Sequence, residues 1–226
     1  ATRYKNAEIT AIDLSSASLA YAARKSKEYG IKNVTFKKMD LLEAAEIDEM
    51  FEVIECSGVL HHMKQPADGL SALVQKLKPG GYIKLGLYSE VARKVILNAR
   101  ELIQTLGFKS NANSIREFRE RVINGDFKEL LDLPQFSSDF YSLSECRDLC
   151  FHVQEHLYTA ETLQDLLSSQ QLVFCGFMIP DKIKMLYLEH FPEDIEMTSL
   201  NNWYKFEKEH PSTFGGMYQF WAQKSS

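Results

Sequence analysis

Two adjacent histidines, His61 and His62, close the run FEVIECSGVLHHM at residues 51–63. An imidazole titrates near neutrality, so a histidine held at the end of a strand can take a proton from a reacting group. The plain alternative is that one ring packs and the other faces solvent. A second cluster, CRDLCFHVQEH at residues 146–156, carries Cys146, Cys150, His152 and His156. Each like pair is four residues apart and would share a helix face. Thiolate and imidazole together suggest zinc. On a helix, however, Cys150 and His152 point about 200° apart, so the four converge only if the helix breaks. The long spacer of a zinc finger is also absent. No metal ligand is assigned.

These residues must be positioned by regular elements. EITAIDL, residues 8–14, has the composition of a buried strand. Ser15 or Ser16 can cap the helical stretch that follows and ends at Gly30. Residues 34–40 and 51–57 read as further strands, and residues 66–77 as a helix with Leu70, Leu73, Val74 and Leu77 on one face. Pro79-Gly80-Gly81 predicts a turn, and residues 82–88 a fourth strand. The order strand, helix, strand, strand, helix, strand predicts an α/β fold with a mainly parallel sheet covered by helices. Strand ends in such sheets are where ligands bind.

Beyond Ser89 the alternation stops. Residues 90–106 and 114–123 read as helices, and residues 126–144 as a turn-rich segment with aromatic residues. Thr159 predicts the cap of a helix at residues 160–168. A strand at 172–179, helices at 181–189 and 199–209, and a last strand at 216–223 follow. The aromatic residues Phe136, Phe140, Tyr141, Phe151 and Tyr158 are expected in a core. KFEKEHPSTF, residues 205–214, reads as a helix end and a turn, the alternative being a border of the pocket.

The chain has 226 residues, enough for a sizeable core, and a formal net charge of -5, which argues against a large nucleic-acid footprint. Four cysteines are too few for a disulfide framework, so reduced thiols and a cytoplasmic location are expected. No secretory leader is evident, and no apolar run is long enough to span a bilayer.

AIDLS (residues 11–15), MDLLE (39–43), FEVIECSGVLHHM (51–63) and LKPGGYIKLGLYS (77–89) occur in order. Together they resemble the class I S-adenosylmethionine-dependent methyltransferases, most of all bacterial domains that in some proteins follow helical repeats. The resemblance covers residues 8–89, and more loosely the late strand pair. It implies a Rossmann-like, mainly parallel sheet with an antiparallel last strand and a helical insertion. Residues 1–89 would be the cofactor-binding half, 90–158 an insertion or lid, and 159–226 the helices and strand pair that complete the sheet. Asp13 and Leu14 would meet the ribose hydroxyls, since a carboxylate offers paired acceptors to a diol. The competing role for Asp13 is a helix cap. Asp40 and Leu41 would meet the adenine. Glu55, Cys56, Ser57 and Leu60 would border the methionine portion, with Gly58 allowing close backbone approach. His61 and His62 would lie at the methyl-transfer centre. Phe151, His152, Glu155 and His156 would line the acceptor side. Cys56 itself reads as a small apolar residue.

One departure from the family pattern stands out. No GxGxG-like loop, and no strand leading to it, precedes residue 8. That strand would sit between those at residues 8–14 and 51–57. Without it the two must pair directly, or another chain must fill the gap. The resemblance therefore implies a methyltransferase, while this chain alone is expected to bind S-adenosylmethionine poorly. A non-catalytic interaction module is the alternative, and a nicotinamide-dependent oxidoreductase a further one. The acceptor is a small molecule or a protein, and an upstream repeat domain or a homo-oligomer fits the same pattern.

Overall fold

The computed structural model describes residues 1–2, 4–151 and 155–225. β1 (Ile9–Asp13) leads into α1 (Ser16–Glu28), whose cap is Ser15: its dihedrals are extended and its hydroxyl accepts the Ser18 amide at 3.2 Å. β2 (Val34–Lys38) returns parallel to β1, with Ile9 opposite Val34 and Asp13 opposite Lys38. Asp40 then caps a 3-10 turn at Leu41–Glu46 in a capping box with Glu43. β3 (Phe51–Ser57) follows, then a 3-10 turn at Leu60–His62 and α2 (Pro66–Lys76), which opens on proline, as a first helical turn allows.

β4 (Leu77–Tyr88) departs from expectation at its start. The Pro-Gly-Gly segment does not reverse the chain. It lies within the strand, Gly80 takes φ +70°, and the register against β3 shifts between Phe51 and Val53. A Cβ at Gly81 would stand 2.8 Å from the Lys78 carbonyl oxygen and 3.0 Å from that of Glu52. The glycines thus permit a bulge, the second use of turn chemistry inside a strand.

The insertion follows as α3 (Lys94–Leu106), α4 (Ala112–Ile123), α5 (Leu133–Phe136) and α6 (Leu143–Cys150). Residues 90–93 form a turn rather than the first turn of a helix, because the Ser89 hydroxyl accepts the Ala92 amide and the Glu90 amide is drawn to the Tyr158 carbonyl. α6 lies where turns and the Cys/His cluster were expected. Its signal was present as Ser-x-x-Glu at 142–145, with the Ser142 side chain accepting the Glu145 amide. The insertion has its own core, with Ile115, Phe118, Leu130 and Phe140 fully buried. Phe140 and Tyr158 are buried as expected, whereas Tyr141 is exposed.

α7 (Ala160–Ser169), β5 (Leu172–Phe177), α8 (Asp181–His190), α9 (Leu200–Glu209) and β6 (Met217–Lys224) complete the chain. β6 runs antiparallel between β4 and β5. Ile83, Leu85 and Leu87 of β4 and Tyr218 and Phe220 of β6 bury one face of the sheet in the main core with Trp203 of α9.

The sheet itself is split. β3-β4-β6-β5 form one sheet and β1-β2 another, and no strand pairing joins β1 to β3 among the described residues. The direct pairing expected as one of two arrangements does not occur. Val53 and Tyr82 are exposed on the outer face of the larger sheet. Parallel strands are usually covered on both faces, so this face is unusually open.

Candidate active site

The carboxyl ends of β1, β2 and β3 carry the expected residues. Asp13 and Asp40 are brought together by the β1–β2 pairing, extended one step by the Met39 amide on the Asp13 carbonyl at 3.2 Å. Asp13 is exposed, and its Oδ1 accepts the Ser15 amide at 2.7 Å. The cap of α1 is nonetheless Ser15, so Asp13 serves the turn before the helix. Asp40 Oδ1 accepts the Leu42 amide at 3.0 Å. The capping role weighed for Asp13 thus falls to Ser15, whereas Asp40 caps its own turn. Leu14 is exposed beside them.

Side chains join this pair to the histidine turn. A Cβ on Gly69 of α2 would lie 2.4 Å from Met63 Sδ and 3.0 Å from Leu41 Cδ2. Leu41 follows Asp40, and Met63 follows His62, so the two turns meet over that glycine. At the end of β3, Ser57 packs on Gly86, where a Cβ would stand 2.8 Å from Ser57 Cβ. Gly58 takes φ +77° with open space where a side chain would be. Cys56 is buried, and burial pushes its thiol up to about 11, so it is protonated at neutral pH and is no nucleophile. Glu55 instead faces the open side of the sheet, 3.5 Å from Lys84.

The two histidines differ. Leu60 and His61 are buried, and His62 is exposed. The His61 ring lies 3.8 Å from the Tyr88 ring and 4.3 Å from that of His62. Neither His61 nitrogen has a hydrogen bond of good geometry. Burial first, and then the neighbouring His62 and Arg93, hold its pKa down to about 3, against a smaller opposing effect of the Gly86 backbone. It is therefore a neutral ring and a weak base.

Behind it runs a polar stack that the sequence did not reveal. The Arg93 guanidinium sits 3.8 Å over the Tyr88 ring. Glu155, with a side chain only 3% exposed, pairs with Arg93 at 3.2 Å and Arg100 at 2.9 Å. The His156 amide donates to the His61 carbonyl at 2.8 Å. Glu155 and His156 thus adjoin the histidine turn. Phe151 does not: its half-buried ring packs edge-on against Phe118 at 5.6 Å, inside the insertion core. His152 lies outside the described residues. Neither Arg93 nor Arg100 carries a local signal, since their partner is more than fifty residues away. Cavities of about 290 Å³ beside Tyr29 and Asn33, and of about 500 Å³ over Val53, Tyr82 and Trp221, lie away from this rim.

Parallel strands with acids and a histidine turn at their carboxyl ends define a Rossmann-like class of nucleotide-binding fold. A family model described as a methyltransferase domain matches residues 1–83. An uncharacterised protein of a Synechococcus strain is 34% identical over 188 residues, 78% of this chain and 44% of that protein. A ubiquinone biosynthesis O-methyltransferase of Alkalilimnicola ehrlichii is 31% identical over 109 residues, 45% of this chain and 42% of that protein. The structure of PKMT2 from Rickettsia typhi in complex with AdoHcy is similar over 95% of this chain and 44% of that one, with a TM-score of 0.68 at 16% identity. Magnesium protoporphyrin IX methyltransferase from Synechocystis, with bound SAH, has a TM-score of 0.51 at 13% identity over 97% of this chain and 65% of that one. The structural likenesses show the fold. The first 83 residues thus match a methyltransferase domain, and the fold is that of Rossmann-like methyltransferases. It spans less than half the length of the curated relatives named above. No described helix is long and apolar enough to cross a membrane.

Proposed function

We propose that this chain contributes the ribose, adenine and transfer-centre residues of an S-adenosylmethionine-dependent methyltransferase whose acceptor is a small molecule or a protein. The observation that carries the reading is the convergence of Asp13, the Asp40–Leu41 turn and the Leu60–His62 turn, tied together by Leu41 and Met63, which both pack against Gly69. The exposed Asp13 carboxylate suits a diol, and the open space at Gly58 suits close backbone approach. When bound, the cofactor would supply an electrophilic methyl group on a sulfonium. The chain's part is alignment, which provides most of such a rate. His62, exposed at the turn, takes the acceptor proton where the acceptor carries one; buried His61 backs it and excludes water. Glu155 fixes Arg93 against Tyr88, and His156 anchors the segment to the His61 carbonyl, on the acceptor side.

The unpaired outer edges of β1 and β3, and the lack of a glycine-rich loop among these residues, favour a second reading for the chain in isolation: a methyltransferase-like module that does not hold the cofactor. One pair of experiments separates the two. Calorimetric titration of S-adenosylmethionine into the isolated chain is expected to show no micromolar binding. The whole protein is expected to bind it and to lose at least tenfold in affinity with Asp13→Asn. Tight binding by the isolated chain refutes the second reading; an unchanged affinity for Asp13→Asn removes the ribose role. The enzyme is expected in the cytoplasm, where its four free cysteines stay reduced.

A further inference from the structure

α8 and α9 end side by side. His190 is the last residue of α8, Glu209 is the last residue of α9, and His210 follows as its cap. One ligand atom from each of the three lies within 4.8 Å of the others. We propose that His190, Glu209 and His210 form a zinc site.

Four independent features point the same way. First, the donor set of two imidazoles and a carboxylate suits a borderline divalent cation with an open position for water. Second, His190 Nδ1 lies 2.8 Å from the Leu186 carbonyl oxygen. As a donor to that oxygen it leaves Nε2 with a free lone pair, and Nε2 is the atom 3.9 Å from the Glu209 carboxylate. Histidines that bind metals are usually oriented in this way by their other nitrogen. Third, His210 Nε2 is buried and has no hydrogen-bond partner, which costs stability unless something satisfies it. Fourth, two helix carboxyl ends meet here, and both favour a cation.

The geometry requires little movement. Ligands on tetrahedral zinc at about 2.0–2.1 Å stand about 3.4 Å apart. Closing from 4.8 Å falls mostly to Glu209, whose side chain is exposed and free to turn. His190 and His210 are held by the Phe206 ring, at 5.5 and 4.6 Å. The His210 carbonyl accepts the Thr213 amide at 3.0 Å, opening the turn that leads to Gly216. Gly216 abuts Phe136 and Arg93, where a Cβ would stand 3.2 and 3.7 Å away. A metal at this corner therefore pins α8 to α9 and steadies the turn beside Arg93.

The test uses tag-free, chelator-treated chain titrated with zinc in the calorimeter, and with cobalt(II) in the spectrophotometer. One equivalent of zinc is expected to bind with micromolar affinity. Cobalt is expected to show d–d bands without a thiolate charge-transfer band, which separates this site from Cys146, Cys150 and Cys175. His190→Ala and His210→Ala each lower affinity at least tenfold, His190→Asn does the same while leaving the circular dichroism unchanged, and Cys175→Ser has no effect. Absence of binding, a thiolate band, or affinity unchanged by the histidine variants overturns the proposal.

Discussion

Glu155 lies between two arginines that are themselves largely out of water, with side chains 7% and 18% exposed. At an effective dielectric of about 20, each pair near 3 Å is worth roughly 5 kcal/mol in gross attraction, most of it offset by desolvation. Removing the acid does not restore that desolvation. Glu155→Ala leaves both largely buried cations without a carboxylate partner, a change that costs about 3–5 kcal/mol. For a chain of this size that is a fall in melting temperature of roughly 6–20 °C. Urea unfolding should be followed by two probes. Trp203 and Trp221, the two tryptophans, belong to the main body, whereas far-ultraviolet circular dichroism reads the insertion helices as well. The dichroism is expected to shift further than the fluorescence, because both lost pairs lie within the insertion. A double-mutant cycle with Arg100→Ala should show coupling above about 1 kcal/mol, since the second change relieves one stranded charge. A loss below 1 kcal/mol with no coupling would refute the claim that Glu155 organises this stack.

Two pH-linked predictions follow from buried groups. The His61 pKa is held at about 3, below the unfolded value near 6.5, so the unfolded chain binds the extra proton between them. Its contribution is complete above about pH 6.5 and is lost as the pH falls toward 3, at most about 5 kcal/mol. His61→Gln should flatten that slope, and ring NMR of the wild type should show no His61 titration near pH 6. Glu207 behaves oppositely. Burial raises its carboxyl pKa, with the Ser89 and Tyr218 hydroxyls pulling it back in part. Between the unfolded value and the raised one the native state holds the proton, so stability falls as pH rises through that window and then levels. Urea midpoints taken from pH 4.5 upward should decline in the wild type and stay flatter in Glu207→Gln.

Local rules read the local structure well. β3 spans Phe51–Ser57 as its apolar run and following Gly58 require, and Thr159 caps α7 with its side chain on the Thr162 amide. The four ordered motifs also placed Asp13, Asp40 and the histidine turn at carboxyl strand ends, because strand polarity follows from the parallel alternation. Errors arose where a residue type has two uses. Pro-Gly-Gly signals a turn but here makes a bulge, since Gly81 fits against the Lys78 and Glu52 carbonyls. Phe151 is expected on the acceptor side, yet its ring packs on Phe118. Residues joined only through tertiary structure left no trace: Arg93 and Arg100 meet Glu155 across the insertion, and His190 meets His210 across two helices.

The split sheet places unusual weight on one apolar joint. With β1 and β3 unpaired, Asp13 and Asp40 belong to one strand pair and the histidine turn to another. What holds the rim together is Leu41 and Met63 meeting over Gly69, with Ile12 and Met39 packed on the main core. Gly69→Ala tests this directly. The new methyl would stand 2.4 Å from Met63 Sδ, so something must move. Met63 has a flexible side chain and can turn away, so the loss of stability should stay near 1–2 kcal/mol. It cannot turn without parting from Leu41, and the two turns then lose their registration. In the whole protein the variant should therefore lose S-adenosylmethionine affinity by at least tenfold while still folding cooperatively. Restoring room with Met63→Ala in the same chain should recover stability but not affinity, because the joint is gone in either case. Full affinity in the Gly69→Ala protein would mean that the acids and the histidine turn are positioned by something other than this contact.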